Sequence, residues 1–169
     1  MKFLGHFFLG IYNMRNLELI ERQADWSKVE FFKPEDFADP EYPGSWIYMA
    51  PETIYRLDKL RKETGWPIVP HNRFGIRGCV CVDSHGHSEK SYHYADHPEG
   101  CSAVDWHFAC KDDPRDQAFA VLTSGFRGVG IYYDWHWGGV LLAVGFHTDC
   151  RLRPQVWRRE KGEYFYLLK

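Results

Sequence analysis

The stretch from Ser91 to Asp105 limits what this chain can build more than any other part of it. It sets two histidines, His93 and His97, and a carboxylate close to the Gly100 turn, then runs into the apolar segment 103–109, which reads as a strand. Alternation along that strand puts Asp105, His107 and Ala109 on one face. Downstream, Gly145-Phe146-His147-Thr148-Asp149 offers another imidazole and carboxylate on or beside a strand. Two such sets are what a His/Asp/His zinc site needs, since a catalytic zinc takes three protein ligands at about 2.0–2.2 Å and keeps a fourth position for water. Scattered loop and surface histidines would supply the same residue types, so the chemistry alone leaves both readings open.

The rest of the composition narrows the class. At 169 residues, 44% apolar and 17% aromatic, the chain is expected to form one domain, 1–169, with a substantial core rather than a disordered segment. A net charge of -2 and no basic run longer than Arg158-Arg159 leave no nucleic-acid footprint. Nine histidines is a high count for this length and keeps a metal site in view. Five cysteines cannot all pair within the chain, Cys79-Val80-Cys81 is too tight to bridge easily, and no CxxC spacing occurs. They are expected as small buried hydrophobes in a reducing compartment, with neither a disulfide nor a cysteine zinc knuckle.

Residues 2–12 resemble the apolar part of a signal peptide behind one lysine. His6, Gly5 and Gly10 interrupt the run, no small-x-small cleavage site follows, and the run is too short to span a bilayer. The expectation is a buried strand or an unstructured leader, with Met14 as an alternative start. No membrane partner and a cytoplasmic location are expected.

Residues 1–49 read as an extended wrap around a core at 50–160, because the prolines at 34, 40 and 43 each disfavour helix at the residue before. Pro51 opens a helix that stacks Ile54, Leu57 and Leu60 or Arg61 on one face, and Gly65 followed by Pro67 ends it. Short strands are expected at 68–69 and 78–82, with a polar loop carrying His85 and His87 after them. Asp113-Pro114 caps a second helix that turns Ala118, Val121 and Leu122 inward and stops at Gly125. A strand over 128–133, a Gly138-Gly139 hairpin turn with a return over 140–149, and a last hairpin around Lys161-Gly162 complete the chain. The class this implies is α+β, an antiparallel sheet with two main helices covering one face.

The order of these motifs resembles the zinc D-alanyl-D-alanine carboxypeptidase and L-alanyl-D-glutamate endopeptidase family, which includes phage endolysins. Ser91-x-His93, Gly100 and Ala103-x-Asp105 match its Ser-x-His-x-x-Gly-x-Ala-x-Asp signature, and Gly128-Val129-Gly130-Ile131-Tyr132 matches its glycine-rich strand. Phe146-His147-Thr148-Asp149, with Arg153 and Trp157 behind it, is similar to the ending of one branch. The resemblance covers about residues 50–160. It implies a hedgehog/D-Ala-D-Ala-peptidase-like fold and a Zn2+ held by His93, Asp105 and His147. The activity it implies is hydrolysis of peptidoglycan stem peptides, as a phage lysis or virion enzyme. It also implies a basic side chain upstream of the first ligand to hold the substrate's carboxylate or carbonyl oxygen. Arg73 falls nearest that position, and Arg77 is the other choice.

The chain departs from the family at three points. The stretch between His93 and Asp105 is longer, so 94–99 must loop out. His97 is consequently an alternative first ligand, although the serine pattern precedes His93. Val144 stands where many members place an acid three residues before the last histidine, so a general base must come from elsewhere. His136 and Asp134 at the hairpin tip are the candidates, His136 preferred, and His136 is also an alternative third ligand. His107 and Asp149 share faces with Asp105 and His147 and are candidates to orient them. The missing acid supports a rival reading, a non-catalytic zinc-containing binding or virion structural module.

Overall fold

The computed structural model describes residues 23–83 and 87–168. The expectations for the apolar run 2–12 and for His85 lie outside the described residues. Pro51 begins helix α1 (Pro51–Thr64), where a missing N–H costs nothing, and Glu52 faces the positive end of the dipole. Ile54, Leu57 and Leu60 are its buried stripe, as their spacing predicts. Gly65 takes the left-handed conformation at φ 70° and closes the helix through its N–H to the Arg61 carbonyl at 2.9 Å. Helix α2 (Pro114–Thr123) starts at Asp113, whose carboxylate accepts the Arg115 N–H at 2.8 Å. Ala118 and Val121 point inward, but Leu122 does not. The helix is turned so that Gln117 is buried instead, its amide donating to the Asp112 carbonyl at 2.8 Å.

The strands are β1 (Ile68–Pro70), β2 (Val104–Phe108), β3 (Gly128–Tyr132), β4 (His136–Trp137), β5 (Val140–Leu141), β6 (Gly145–Asp149), β7 (Gln155–Glu160) and β8 (Glu163–Leu168). Six of them form one sheet in the order β1-β2-β6-β3-β7-β8. Among the described residues the fold is α+β with two α-helices, but the sheet is mixed rather than purely antiparallel, because β7 runs parallel to β3. The reason is topological. The chain reverses after β6 and crosses to the far side of β3, so the strand laid down there must run in the direction of β3.

Three local expectations change. The 78–82 segment is not a strand, because its backbone bonds go to separate segments rather than to one ladder. The Gly78 N–H bonds the His71 carbonyl, Val80 the Phe37 carbonyl and Cys81 the His93 carbonyl. The return over 140–149 is split. Gly138 and Gly139, at φ 56° and 82°, turn β4 into β5 as a separate two-stranded hairpin, and β6 alone pairs with β3. The N-terminal wrap, where described, is gathered into three short 3-10 turns, Trp26–Lys28, Pro34–Phe37 and Ser45–Tyr48.

Alternation along the sheet divides its faces. Trp106, Phe108, Val129, Ile131 and Phe146 join Ile54, Leu57 and Val121 in the core, so both helices cover that face. The opposite face carries Asp105, His147 and Asp149. All five cysteines are free thiols, with Cys79, Cys81 and Cys101 buried. No helix among the described residues is long and apolar enough to cross a membrane.

Candidate metal centre

Register brings the first two polar side chains together. Asp105 on β2 is the direct partner of His147 on β6, and Gly130 on β3 is the partner of His147 on its other side. Asp105 Oδ1 and His147 Nδ1 lie 2.9 Å apart. His93 arrives from the loop before β2, and its Nε2 stands 3.2 Å from His147 Nδ1 and 3.4 Å from Asp105 Oδ1. Ligand atoms on a tetrahedral ion with bonds of about 2.1 Å would sit about 3.4 Å from one another. The three atoms therefore already have nearly the spacing such an ion requires.

The loop holding His93 is clamped rather than free. The Cys81 N–H donates to the His93 carbonyl and the Ala95 N–H to the Cys81 carbonyl, at 2.8 and 2.9 Å. The Ser102 and Ala103 N–H groups both donate to the Tyr92 carbonyl. Between these clamps the long insertion folds into turns. The His97 N–H bonds the Tyr94 carbonyl, and the Gly100 N–H bonds the His97 carbonyl with Gly100 at φ 88°. His97 itself stacks on Tyr92 at 4.2 Å, and its Nδ1 accepts the Glu99 N–H. His93, not His97, is the imidazole at the cluster.

The outer nitrogens decide what the inner ones can do. His93 Nδ1 lies 3.0 Å from the Cys79 carbonyl, and His147 Nε2 lies 3.0 Å from Asp149 Oδ2. A carbonyl and a carboxylate only accept, so both outer nitrogens must carry the hydrogen. In the neutral rings this leaves His93 Nε2 and His147 Nδ1 as lone pairs facing each other and the Asp105 oxygen. Three converging acceptors in a buried site call for a cation, either a proton or a metal ion.

The electrostatics agree. Burial works against a charged His147, but its hydrogen bonds to Asp105 and Asp149 outweigh it and raise its pKa to about 9. Burial also works against the Asp105 and Asp149 carboxylates. The charges and bonds of His93 and His147 hold Asp105 well below the usual carboxylate range, and Arg151 with His147 does the same for Asp149. Arg151 grips Asp149 through Nε at 2.8 and 3.0 Å, and its other nitrogens reach Asp149 Oδ2 and Gln155. The chain Arg151, Asp149, His147 thus fixes the ring that faces Asp105. Asp149 takes the orienting position expected of it.

His107 does not hold Asp105. Its Nδ1 meets His71 Nε2 at 2.8 Å, and His71 stacks on Trp137 at 4.3 Å and 15°. His71 is fully buried with no partner for Nδ1 among the described residues, and burial lowers its pKa to about 3.

Two glycines of β3 make the site face. A Cβ on Gly130 would come within 2.7 Å of the Trp157 ring, and one on Gly128 would overlap the Asp149 carboxylate. Gly78 likewise has the His71 carbonyl at 2.7 Å and Asp105 Cβ at 2.8 Å from the position of a Cβ. The alternating glycines of β3 open room for the two side chains that back His147.

A cavity of about 460 Å³ lies over the triad, walled by His87, Tyr132, Trp135, Arg151, Trp157 and Arg159 among others. The His87 ring lies tilted against His93 with centroids 4.4 Å apart, its Nε2 lies 3.0 Å from the Arg77 carbonyl, and burial lowers its pKa to about 4. The sequence reading gave His87 and Arg151 no role at the site. Arg151 had one available signal, its place two residues after Asp149, whereas His87 had only its residue type. His136 is exposed on β4 and is not part of the cavity wall. Asp134 pairs with Arg159 at 2.9 Å and accepts the Gly162 N–H at 2.7 Å, also outside that wall. Arg73 is exposed on the loop after β1, and Arg77 is bound to Asp39, Glu41 and Asp83. Val144 is buried in the core.

The buried His93, Asp105 and His147 group has the donors to hold a metal ion. No protein-family model, curated protein or solved structure matches the chain.

Proposed function

We propose that the chain is a zinc-dependent peptidase acting on peptidoglycan stem peptides, on a D-Ala-D-Ala-peptidase-like fold. The observation that carries this reading is the forced inward orientation of three acceptors, His93 Nε2, Asp105 Oδ1 and His147 Nδ1, beneath an open cavity. The motif order that the chain shares with the zinc peptidases supplies the reaction and the substrate class. Zinc, when bound, supplies Lewis-acid polarisation of the scissile carbonyl and a water nucleophile near neutral pH.

The chain's own groups divide the remaining work. His93, Asp105 and His147 hold the ion, and Asp149 with the Cys79 carbonyl keeps both imidazoles in the ligating tautomer. His87 is the cavity-wall imidazole outside the ligand set. With Nε2–H directed at the Arg77 carbonyl, its Nδ1 is the accepting nitrogen, which the Ser91 hydroxyl reaches at 3.4 Å and would yield to a proton from the water. His136 and Asp134 remain the alternative acceptors. Arg151 and Arg159, rather than Arg73, stand on the wall where a substrate carboxylate or carbonyl oxygen would lie.

A second reading has its own support. Among the described residues, Asp105 is the one carboxylate on the cavity wall, and Val144 occupies the place of the acid in the family the chain resembles. A metal-holding binding module without turnover fits that pattern. Metal analysis of the purified protein beside a peptidoglycan digestion separates the two. Zinc with released peptide ends supports the peptidase, zinc without cleavage the module, and neither metal nor cleavage overturns both.

A further inference from the structure

The row of residues through the site does not stop at the metal cluster. Register carries it from Asp105 to His147, Gly130, Trp157 and then Tyr166 on β8. Tyr164 lies two residues away on the same face of β8, and both tyrosines reach the wall of the same cavity while remaining 51% exposed. Arg159 fixes the inner end of this strip, its guanidinium lying 4.9 Å from the Tyr132 ring and 5.9 Å from the Tyr164 ring. Three strand spacings separate His147 from Tyr166, about 14 Å, which an extended peptide covers in about four residues. Whatever touches these tyrosines is therefore remote from the bond that is cut.

We infer that Tyr164 and Tyr166, exposed beyond the buried Trp157, form a sugar-stacking strip that holds the glycan strand of the substrate, making the protein selective for polymeric peptidoglycan over free stem peptide. This rests on the proposed function for the identity of the polymer. The chemistry of the strip favours a sugar over more peptide. An extended peptide is held by ladder bonds along a strand edge, whereas these side chains stand on the face of the sheet. They offer flat apolar rings with hydroxyls at the rim, suited to the C–H faces and hydroxyls of a pyranose. Binding energy gained there acts on the reacting centre only through a substrate long enough to reach both places.

The test uses the full chain and a Tyr164→Ala/Tyr166→Ala double variant, with Tyr164→Phe/Tyr166→Phe as the ring-retaining control. Co-sedimentation with insoluble peptidoglycan is measured with and without a chito-oligosaccharide competitor, which carries no peptide. The alanine variant should bind about tenfold more weakly, the phenylalanine variant should retain most binding, and the oligosaccharide should compete. In cleavage assays the alanine variant should lose several-fold more efficiency on the polymer than on a free stem peptide. Zinc content should be unchanged throughout. Equal sedimentation of alanine variant and parent, no competition by the oligosaccharide, or equal losses on polymer and free peptide would each overturn the strip. A parent that cleaves nothing but binds peptidoglycan through these tyrosines keeps the strip and discards the peptidase.

Discussion

Asp105 and His147 face each other across the β2–β6 ladder with 2.9 Å between Oδ1 and Nδ1, and behind His147 the Asp149 carboxylate takes the other ring nitrogen at 3.0 Å. His147 is thus held from both sides by carboxylates whose bonds outweigh the cost of burying its charge. In the metal-free protein that space holds a proton. In the loaded protein it would hold the ion.

The first prediction concerns stoichiometry. Purified protein should carry one zinc per chain, and His93→Ala or His147→Ala should abolish it, read by elemental analysis. Asp149→Asn leaves all three ligands in place but removes the negative charge behind His147 and replaces one of its two acceptor oxygens by an amide donor, so affinity should fall by about 10–100-fold. Full zinc affinity in that variant would remove Asp149 from the site.

Proton and metal compete for His147, which sets a pH dependence. Its pKa in the metal-free protein is about 9, so at neutral pH the ring is protonated and the metal must displace that proton. Zinc affinity, measured by chelator competition, should therefore rise from pH 6 towards pH 9. The metal-free fold should behave in the opposite sense. A folded pKa raised above the unfolded value of about 6.5 contributes stability below pH 6.5 that is lost as the pH climbs through 9. An affinity that is flat over this range would contradict the proton-filled site.

His71 gives a slope on the acid side. It is buried neutral with a pKa near 3, so unfolding lets it take a proton as the pH falls below about 6.5. Its contribution is fully present above pH 6.5 and is lost progressively towards pH 3. Denaturant midpoints should fall over that window, and His71→Phe, which keeps a ring against Trp137, should flatten the fall. An unchanged slope in the variant would assign the acid sensitivity to other groups.

Gly130 should not tolerate a methyl group. Its Cβ would meet the Trp157 ring at 2.7 Å, so Gly130→Ala should cost about 1–3 kcal/mol in chemical denaturation. It should also weaken zinc binding, because Trp157 lies 5.2 Å from the His147 ring and would have to move. Wild-type stability in this variant would show that Trp157 relaxes freely.

The proton acceptor is decided by comparing two alanine variants. His87→Ala should keep its zinc and lose peptidoglycan cleavage by about 10²–10⁴-fold, while His136→Ala should cleave as the parent does. The reverse pattern would return the role to the β4–β5 hairpin. Loss of metal on His136→Ala would make that residue a ligand and remove His147 from the set.

Both helices, their caps and the strands carrying Asp105 and His147 were legible from the sequence, because proline, aspartate and glycine at element ends and period-two alternation act locally. The residue types and faces of Asp105 and His147 were legible for the same reason, but the set His93, Asp105 and His147 was implied only by a motif order that resembles the zinc peptidases. Tertiary structure alone decided the rest. Whether 78–82 became a strand depended on which segments its N–H groups could reach, and the parallel β7 depended on which side of β3 the chain crossed to. His93, already preferred for the serine pattern before it, stands at the cluster and His97 does not, because the Cys81 and Tyr92 clamps fold the insertion into turns of its own. His87 entered the cavity and His136 stayed on its hairpin for the same kind of reason. Residue type and local pattern determine what chemistry a side chain can do and which face of its element it takes, while the partners it meets are set by contacts between segments far apart in the chain.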